Sequence, residues 1–165
     1  MDRLESEIRD TSKGMTPIVK TVVRFVMGII VIFGAYIVLF GHLTPGGGFA
    51  GGVILAAAYV VLVLAFGREL GLSKMSNKAA SILDNFGALA FISLGLLGFT
   101  GGWFFLNFLP KGKMFDLFSA GDIPLMNIAI GIKVTASLFA IFIALSIFGR
   151  VIYKMSDLDD SESEE

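Results

Sequence analysis

The chain has 165 residues, of which 55% are hydrophobic and 16% charged, with a mean hydropathy of +0.82 and a formal net charge of −1 at pH 7. A water-soluble domain is about a quarter charged, so this composition excludes a soluble domain, and the near-neutral charge gives no indication of a nucleic-acid partner. With no cysteine and one histidine, disulfides, thiolate metal sites and attached haem are excluded for this chain alone. We therefore predict no catalytic residue, no metal site and no cofactor.

Residues 1–20 form a predicted charged cytoplasmic segment, which is not a signal peptide because it lacks an apolar core. The domain at 21–153 contains four apolar stretches, and a membrane-spanning helix needs roughly 20 apolar residues. We place the helices at residues 22–40, 49–66, 85–106 and 125–152. The sequence thus predicts an all-α integral membrane bundle of four transmembrane helices, followed by an acidic disordered tail at 154–165.

Lysine and arginine are concentrated on one side of the predicted helices. They lie in the N-terminal segment, in the second connection and after the fourth helix, where they include Arg68, Lys74, Lys78, Arg150 and Lys154. The opposite side receives only Lys111 and Lys113. Because basic residues in short flanking segments stay in the cytoplasm, both termini are predicted to be cytoplasmic.

The first connection carries the sequence GHLTPGGGFAGG at residues 41–52. Its consecutive glycines permit a sharp turn, and its later glycines recur at the four-residue spacing that lets membrane helices approach closely. An anion cradle is the alternative, but the lysine and the serine or threonine of a phosphate loop are missing. We interpret the run as a turn and helix-packing motif made of Thr44, Pro45, Gly46, Gly47, Gly48, Gly51 and Gly52.

Lys133 is a candidate ion or proton relay group, because an ionisable residue inside a membrane helix is costly. It lies about eight residues, roughly 12 Å, from the outer end of the predicted fourth helix. We expect its acidic partner to come from another subunit, because Asp84 and Asn85 are interpreted as a cap at the start of helix three. The alternative is a lysine that snorkels to the interface. Its helix face carries small residues at Ala129, Ser137, Ala140 and Ala144.

His42 is the second relay candidate and the only histidine of the chain. The predicted topology places it at the outer membrane surface, beside the glycine-rich turn. A side chain that titrates near neutral pH can serve proton entry or exit there. The alternative is an ordinary polar residue at the interface.

The succession of a first helix, GHLTPGGGFAGG and an alanine-rich second helix resembles the B subunit of Mrp-type multisubunit sodium/proton antiporters. Membrane subunits of energy-converting hydrogenases and sulfur-reducing complexes share the pattern. The resemblance spans about residues 17–152 and is sharpest at 41–66. It implies a small multi-pass subunit of a prokaryotic plasma membrane, not an enzyme on its own, with other membrane subunits and lipid as partners and with Na⁺ and H⁺ as the transported ions.

Two functions stay open at this point. The first is a subunit of a cation/proton antiporter module, either standing alone or within a redox-driven complex such as a membrane-bound hydrogenase, which helps form the ion-translocating membrane arm. The second is a purely structural scaffold subunit with no titrating role.

Overall fold

The computed structural model describes residues 15–67, 70, 72–73, 75–113 and 115–162, without the side chains of 150, 151 and 153–162. Most of the charged segment predicted at 1–20 lies outside these residues, as do Arg68 and Lys74. The regular elements of the described part are all helical. They are α1 (Pro17–Leu39), α2 (Gly47–Phe66), α3 (Asn77–Leu97) with a 3₁₀ turn at Gly98–Gly101, and α4 (Ile123–Glu162).

Four of these helical segments are long and apolar enough to cross a membrane, namely Pro17–Leu39, Gly47–Phe66, Asn77–Gly101 and Ile123–Gly149. In hydrocarbon every backbone polar group needs an internal partner, and a continuous helix supplies one for nearly all of them. The predicted all-α fold with four spanning helices is confirmed.

The boundaries of α3 differ most from those predicted. The helix begins at Asn77 rather than at residue 85, because the Ser76 hydroxyl caps it by accepting a hydrogen bond from the Ala79 amide over 3.1 Å. It ends at Leu97 rather than at residue 106, because the 3₁₀ turn leads to Gly102, whose φ of 107° reverses the chain. The third span is therefore shifted toward the N-terminus.

The far end of α4 also differs from the prediction. The helix continues to Glu162, through most of the segment that we expected to be disordered from residue 154. The sequence after Gly149 holds neither glycine nor proline, so nothing there interrupts the addition of one hydrogen bond per residue to a helix that already exists.

The helices pack in the order α1, α2, α4, α3. α1 lies along α2, α2 along α4 and α4 along α3, and α1 makes only a minor contact with α4. α4 is thus the central helix, and α3 is held mainly by α4. This arrangement leaves much of each helix uncovered, and exposed apolar side chains such as Phe25, Ile32 and Phe86 line the outside. Such a surface is suited to lipid or to neighbouring membrane helices.

Contacts at the two ends of the bundle show that successive helices run in opposite directions. At one end the start of α1 meets the end of α2, since the Met15 amide donates to the Ala65 carbonyl oxygen over 2.8 Å. The same end holds an apolar cluster of α2, α3, α4 and the segment before α3, made of Val63, Met75, Ala80, Phe139 and Ile143. At the other end the α1–α2 turn meets the long connection that precedes α4. The cytoplasmic location of the first end stays a prediction from the lysine and arginine distribution.

Candidate ion-pair site between α3 and α4

Gly87 brings α3 close to α4. A side-chain carbon at this position would lie 2.8 Å from both the Ala129 carbonyl oxygen and the Lys133 Cβ atom. Only glycine fits such a separation, which is typical of closely packed membrane helices. Ala80 and Gly87 are buried, and Asp84 lies between them at helical spacing, so all three belong to the side of α3 that faces α4.

Asp84 bonds two side chains of α4. Lys133 Nζ donates to Asp84 Oδ1 over 2.7 Å, and Ser137 Oγ donates to the same oxygen over 2.5 Å. Lys133 and Ser137 are four residues apart, so one helix face presents both of them to the carboxylate. A carboxylate that accepts from an ammonium and a hydroxyl makes charge-assisted hydrogen bonds, which are shorter and stronger than neutral ones.

The three side chains lie well inside the apolar spans. Asp84 is seven residues beyond the start of α3, or about 10 Å, and Lys133 is ten residues beyond the start of α4, or about 15 Å. The pair is only partly covered by the chain, since 34% of the Asp84 side chain and 44% of the Lys133 side chain are exposed. A charged pair is therefore presented on the surface of two helices, within the segments that are long and apolar enough to cross a membrane.

The acidic partner of Lys133 belongs to this chain, so our expectation that another subunit supplies it is wrong. The interpretation of Asp84 and Asn85 as a helix cap is also wrong, because both lie in the second turn or beyond of a helix that begins at Asn77. Helix three was predicted to begin at residue 85 because its apolar stretch ends at the first charged residue, Asp84. The spacing of Ala80, Asp84 and Gly87 on one helix face indicates the earlier start.

The glycine-rich turn joins α1 to α2 and seats α2 on α4. Gly46 and Gly47 have φ values of 133° and 70°, where other residues are strained. Gly48 and Gly52 face α4, where added side chains would meet the backbone of Asn127 and the side chain of Val134, respectively. In the same motif the Thr44 hydroxyl donates to the Phe40 carbonyl oxygen, Pro45 is exposed, and Gly51 faces Val38 of α1.

His42 fastens the glycine-rich turn to the connection before α4. Its Nε2 atom lies 3.0 Å from the Ser119 Oγ atom and 3.3 Å from the Asp116 carbonyl oxygen. The tautomer with hydrogen on Nε2 can donate to these oxygens, while the Nδ1 atom is buried without a partner in the described part of the chain. The ring is thus a link between distant segments, far along the chain from Asp84 and Lys133. Its role in proton access stays a prediction.

The link through His42 gives a testable expectation. Replacing His42 with leucine removes the hydrogen bonds and should loosen the connection, whereas glutamine keeps a donor of similar reach. A lost hydrogen bond of about 1 kcal/mol corresponds to roughly fivefold more opening. Trypsin should then cut after the exposed Lys111 and Lys113 roughly fivefold faster in His42→Leu than in His42→Gln. Equal cleavage rates in the two variants would contradict this role.

Several polar residues of the structure were not identified from the sequence. The Thr135 hydroxyl donates to the Gly131 carbonyl oxygen over 2.7 Å and also lies 3.2 Å from that of Gly52, which ties α4 to α2. Asn107 donates to the Ala120 carbonyl oxygen and accepts from the amide of Asp122, a residue only 1% exposed. The Thr135 contact depends on how α2 and α4 pack, and the Asn107 contacts depend on loop conformations that no sequence periodicity indicates.

The described residues include no group of three or more histidine, cysteine, aspartate or glutamate side chains that could hold a metal ion. The polar contacts found among the described residues include hydrogen-bonded links and the ion pair of Lys133 with Asp84 between two spanning helices. Such an arrangement can transfer a proton or hold a monovalent cation at a carboxylate, and it can also clamp two helices together.

Comparison with known proteins finds a family model and relatives that resemble this chain. A family model described as a domain related to the MnhB subunit of Na⁺/H⁺ antiporter matches residues 18–150. An uncharacterized protein of Methanocaldococcus jannaschii is 38% identical over 154 residues, which cover 88% of this chain and 58% of that protein. A Staphylococcus aureus protein that carries the name antiporter subunit mnhB2 is 42% identical over 52 residues, or 32% of this chain and 37% of its own.

A solved structure resembles the fold as well. A chain of the membrane-bound sulfane sulfur reductase, an archaeal respiratory membrane complex, superposes with a TM-score of 0.66 at 31% sequence identity, covering 79% of this chain and 57% of that chain. The present chain therefore spans less than two thirds of the length of each of these three relatives. The likeness extends over most of the four spanning helices.

Proposed function

Because this chain belongs to the family of domains related to the MnhB subunit of Na⁺/H⁺ antiporters, we propose that it is a small subunit of a multisubunit complex that exchanges Na⁺ for H⁺. Its partners are the other membrane subunits of that complex, and its location is the prokaryotic plasma membrane. In this proposal Asp84, Lys133 and Ser137 form the polar element through which the subunit takes part in ion or proton transfer. The parent complex is either an antiporter or a respiratory relative.

The observation that carries the proposal is the partly exposed ion pair inside the apolar spans. Charged side chains at this depth are costly and are usually retained for function. Lys133 donates to Asp84 over 2.7 Å, so the ammonium and the carboxylate neutralise each other. Ser137 also donates to Asp84, which lets the carboxylate keep a hydrogen bond when Lys133 moves away.

The ion pair provides a site at which a sodium ion can displace the lysine ammonium. A sodium ion that binds the Asp84 carboxylate competes with the Lys133 ammonium for the same negative charge. Once the carboxylate is occupied, the Lys133 ammonium loses its counter-charge, and an uncompensated charge inside a membrane span is costly. Binding of a cation at Asp84 and separation of Lys133 from Asp84 are thereby coupled.

A structural role is the second candidate, and a specific observation favours it. The same three side chains join α3 to α4, and α4 is the helix on which α3 mainly packs. In this case the ion pair clamps the two helices, and its titration contributes nothing to transport.

Three variants of the complex distinguish these roles: Asp84→Asn, Lys133→Met and the double variant. If the pair relays ions or protons, all three should assemble and lose Na⁺-driven proton movement in membrane vesicles by at least about tenfold, equivalent to about 1.4 kcal/mol in the barrier. If the pair is only a clamp, each single variant leaves one charge uncompensated, and the double variant restores normal transport per assembled complex.

Lys78→Met is the matched control, because Lys78 lies exposed in the first turn of α3 and loses the same charge. We expect it to transport normally. An assembled Lys133→Met complex that exchanges ions at the wild-type rate would end the relay proposal.

A further inference from the structure

We propose that another subunit docks a transmembrane helix on the side of the α3–α4 pair that exposes Asp84, Lys133 and Ser137, and that this helix brings a polar or charged side chain to the ion pair. This inference rests on the proposed function, since it assumes a multisubunit complex. We call this side the polar face. By helical spacing it also includes Ala88, four residues after Asp84, and Ile141, four residues after Ser137.

The ion pair has unused hydrogen-bonding capacity on the polar face. The hydrogen bonds from Lys133 and Ser137 both end on Asp84 Oδ1, and within the described part of the chain Oδ2 accepts none. Lys133 has three N–H donors and uses one of them on Asp84. Since 34% and 44% of these two side chains are exposed, a neighbouring group can reach both of them.

Lipid cannot satisfy these groups. Hydrocarbon offers no hydrogen bonds, and each unsatisfied polar group in it costs several kcal/mol. Snorkelling does not relieve the cost, because Lys133 reaches sideways to Asp84, and the two backbones lie about 10 Å from the start of α3 and about 15 Å from the start of α4. The polar face must therefore meet protein or water that protein encloses.

The shape of the polar face favours a helix as its occupant. Ala129 is buried against α3, whereas Ala140 and Ala144 on the same stripe of α4 are exposed. Small exposed residues let a second helix approach closely and add van der Waals contact. Charge complementarity then specifies the chemistry of that helix: a carboxylate or amide oxygen for Lys133, or a hydroxyl, amide or cationic donor for Asp84 Oδ2.

A photo-crosslinking residue in the assembled complex tests the inference. It is placed at Ile141, which is 54% exposed on the polar face, and in a control at Leu89, which is 65% exposed and lies about 140° around α3 from Asp84. After irradiation, digestion and mass spectrometry identify the crosslinked peptide. We expect Ile141 to label a membrane segment of another subunit with a polar or charged residue within one turn, and Leu89 not to label that segment.

Adducts from Ile141 with lipid alone, with a second copy of this chain, or with a wholly apolar segment would each overturn the inference. If the Ile141 variant does not assemble, the same measurement at Ala144 decides it. The crosslink is read in the intact complex without any transport assay. A lipid adduct in an intact complex therefore rejects the docked helix alone, whereas a chain that purifies without other subunits rejects the proposed function.

Discussion

The substitution Lys133→Glu is expected to leave little assembled protein, because it places two carboxylates together between α3 and α4. In the wild-type protein, Lys133 contacts Asp84 over 2.7 Å. Two carboxylates about 4 Å apart repel each other by about 4 kcal/mol at an effective dielectric constant of about 20. With α3 held mainly by α4, this repulsion should separate the two helices. The amount of complex extracted from membranes and its thermal midpoint measure the effect.

Exchanging the two charges tests whether the loss of protein comes from the broken ion pair. Adding Asp84→Lys to Lys133→Glu restores an ion pair in the reverse order, so the amount of complex should return toward the wild-type level. Lys78→Glu serves as the control, since Lys78 is exposed near the start of α3, where a negative charge is favoured by the helix dipole. A charge exchange that accumulates no better than Lys133→Glu would mean that the two side chains do not support each other.

The second large effect is expected at Gly48, where an alanine should disrupt the contact between α2 and α4. An added side chain at Gly48 would meet the backbone of Asn127, which cannot move aside as the end of a flexible side chain can. The Gly48 amide also donates to Asn127 Oδ1 over 3.3 Å, and that bond depends on the close approach. Overpacking of this kind costs about 1–3 kcal/mol and sometimes more, and we expect the upper end of that range.

Gly28→Ala is the matched control for Gly48→Ala. Gly28 lies within α1, and nothing lies within 4 Å of the position that its side chain would occupy. Alanine there should leave stability unchanged or raise it by up to about 1 kcal/mol, since it favours the helix more than glycine does. Thermal unfolding of the purified protein in detergent compares the two. Equal midpoints for Gly48→Ala and Gly28→Ala would show that α2 and α4 are not in close contact.

Resemblance and hydropathy together predicted the family and the class of fold. The motif at residues 41–52 carried the resemblance, and the match to the family of MnhB-related domains confirms it. The position of α2 was also predicted closely, at 49–66 against Gly47–Phe66, because an uncharged stretch ends there at a glycine. These features are local in the chain, so the sequence alone is sufficient to identify them.

The sequence by itself determined that the chain crosses the membrane with four helices and that Lys133 is costly within one of them, because both follow from the transfer of local segments into lipid. Only the tertiary structure decided that Asp84 is the partner of Lys133 and that Ser119 is the partner of His42. These pairs are 49 and 77 residues apart. The contact of Asp84 with Lys133 depends on where α3 begins and on how closely Gly87 lets it approach α4, and the contact of His42 with Ser119 depends on how the α1–α2 turn meets the connection before α4. Hydropathy treats Asp84 as the edge of an apolar stretch, whereas packing places it inside the span, because a nearby ammonium and a hydroxyl compensate its charge there.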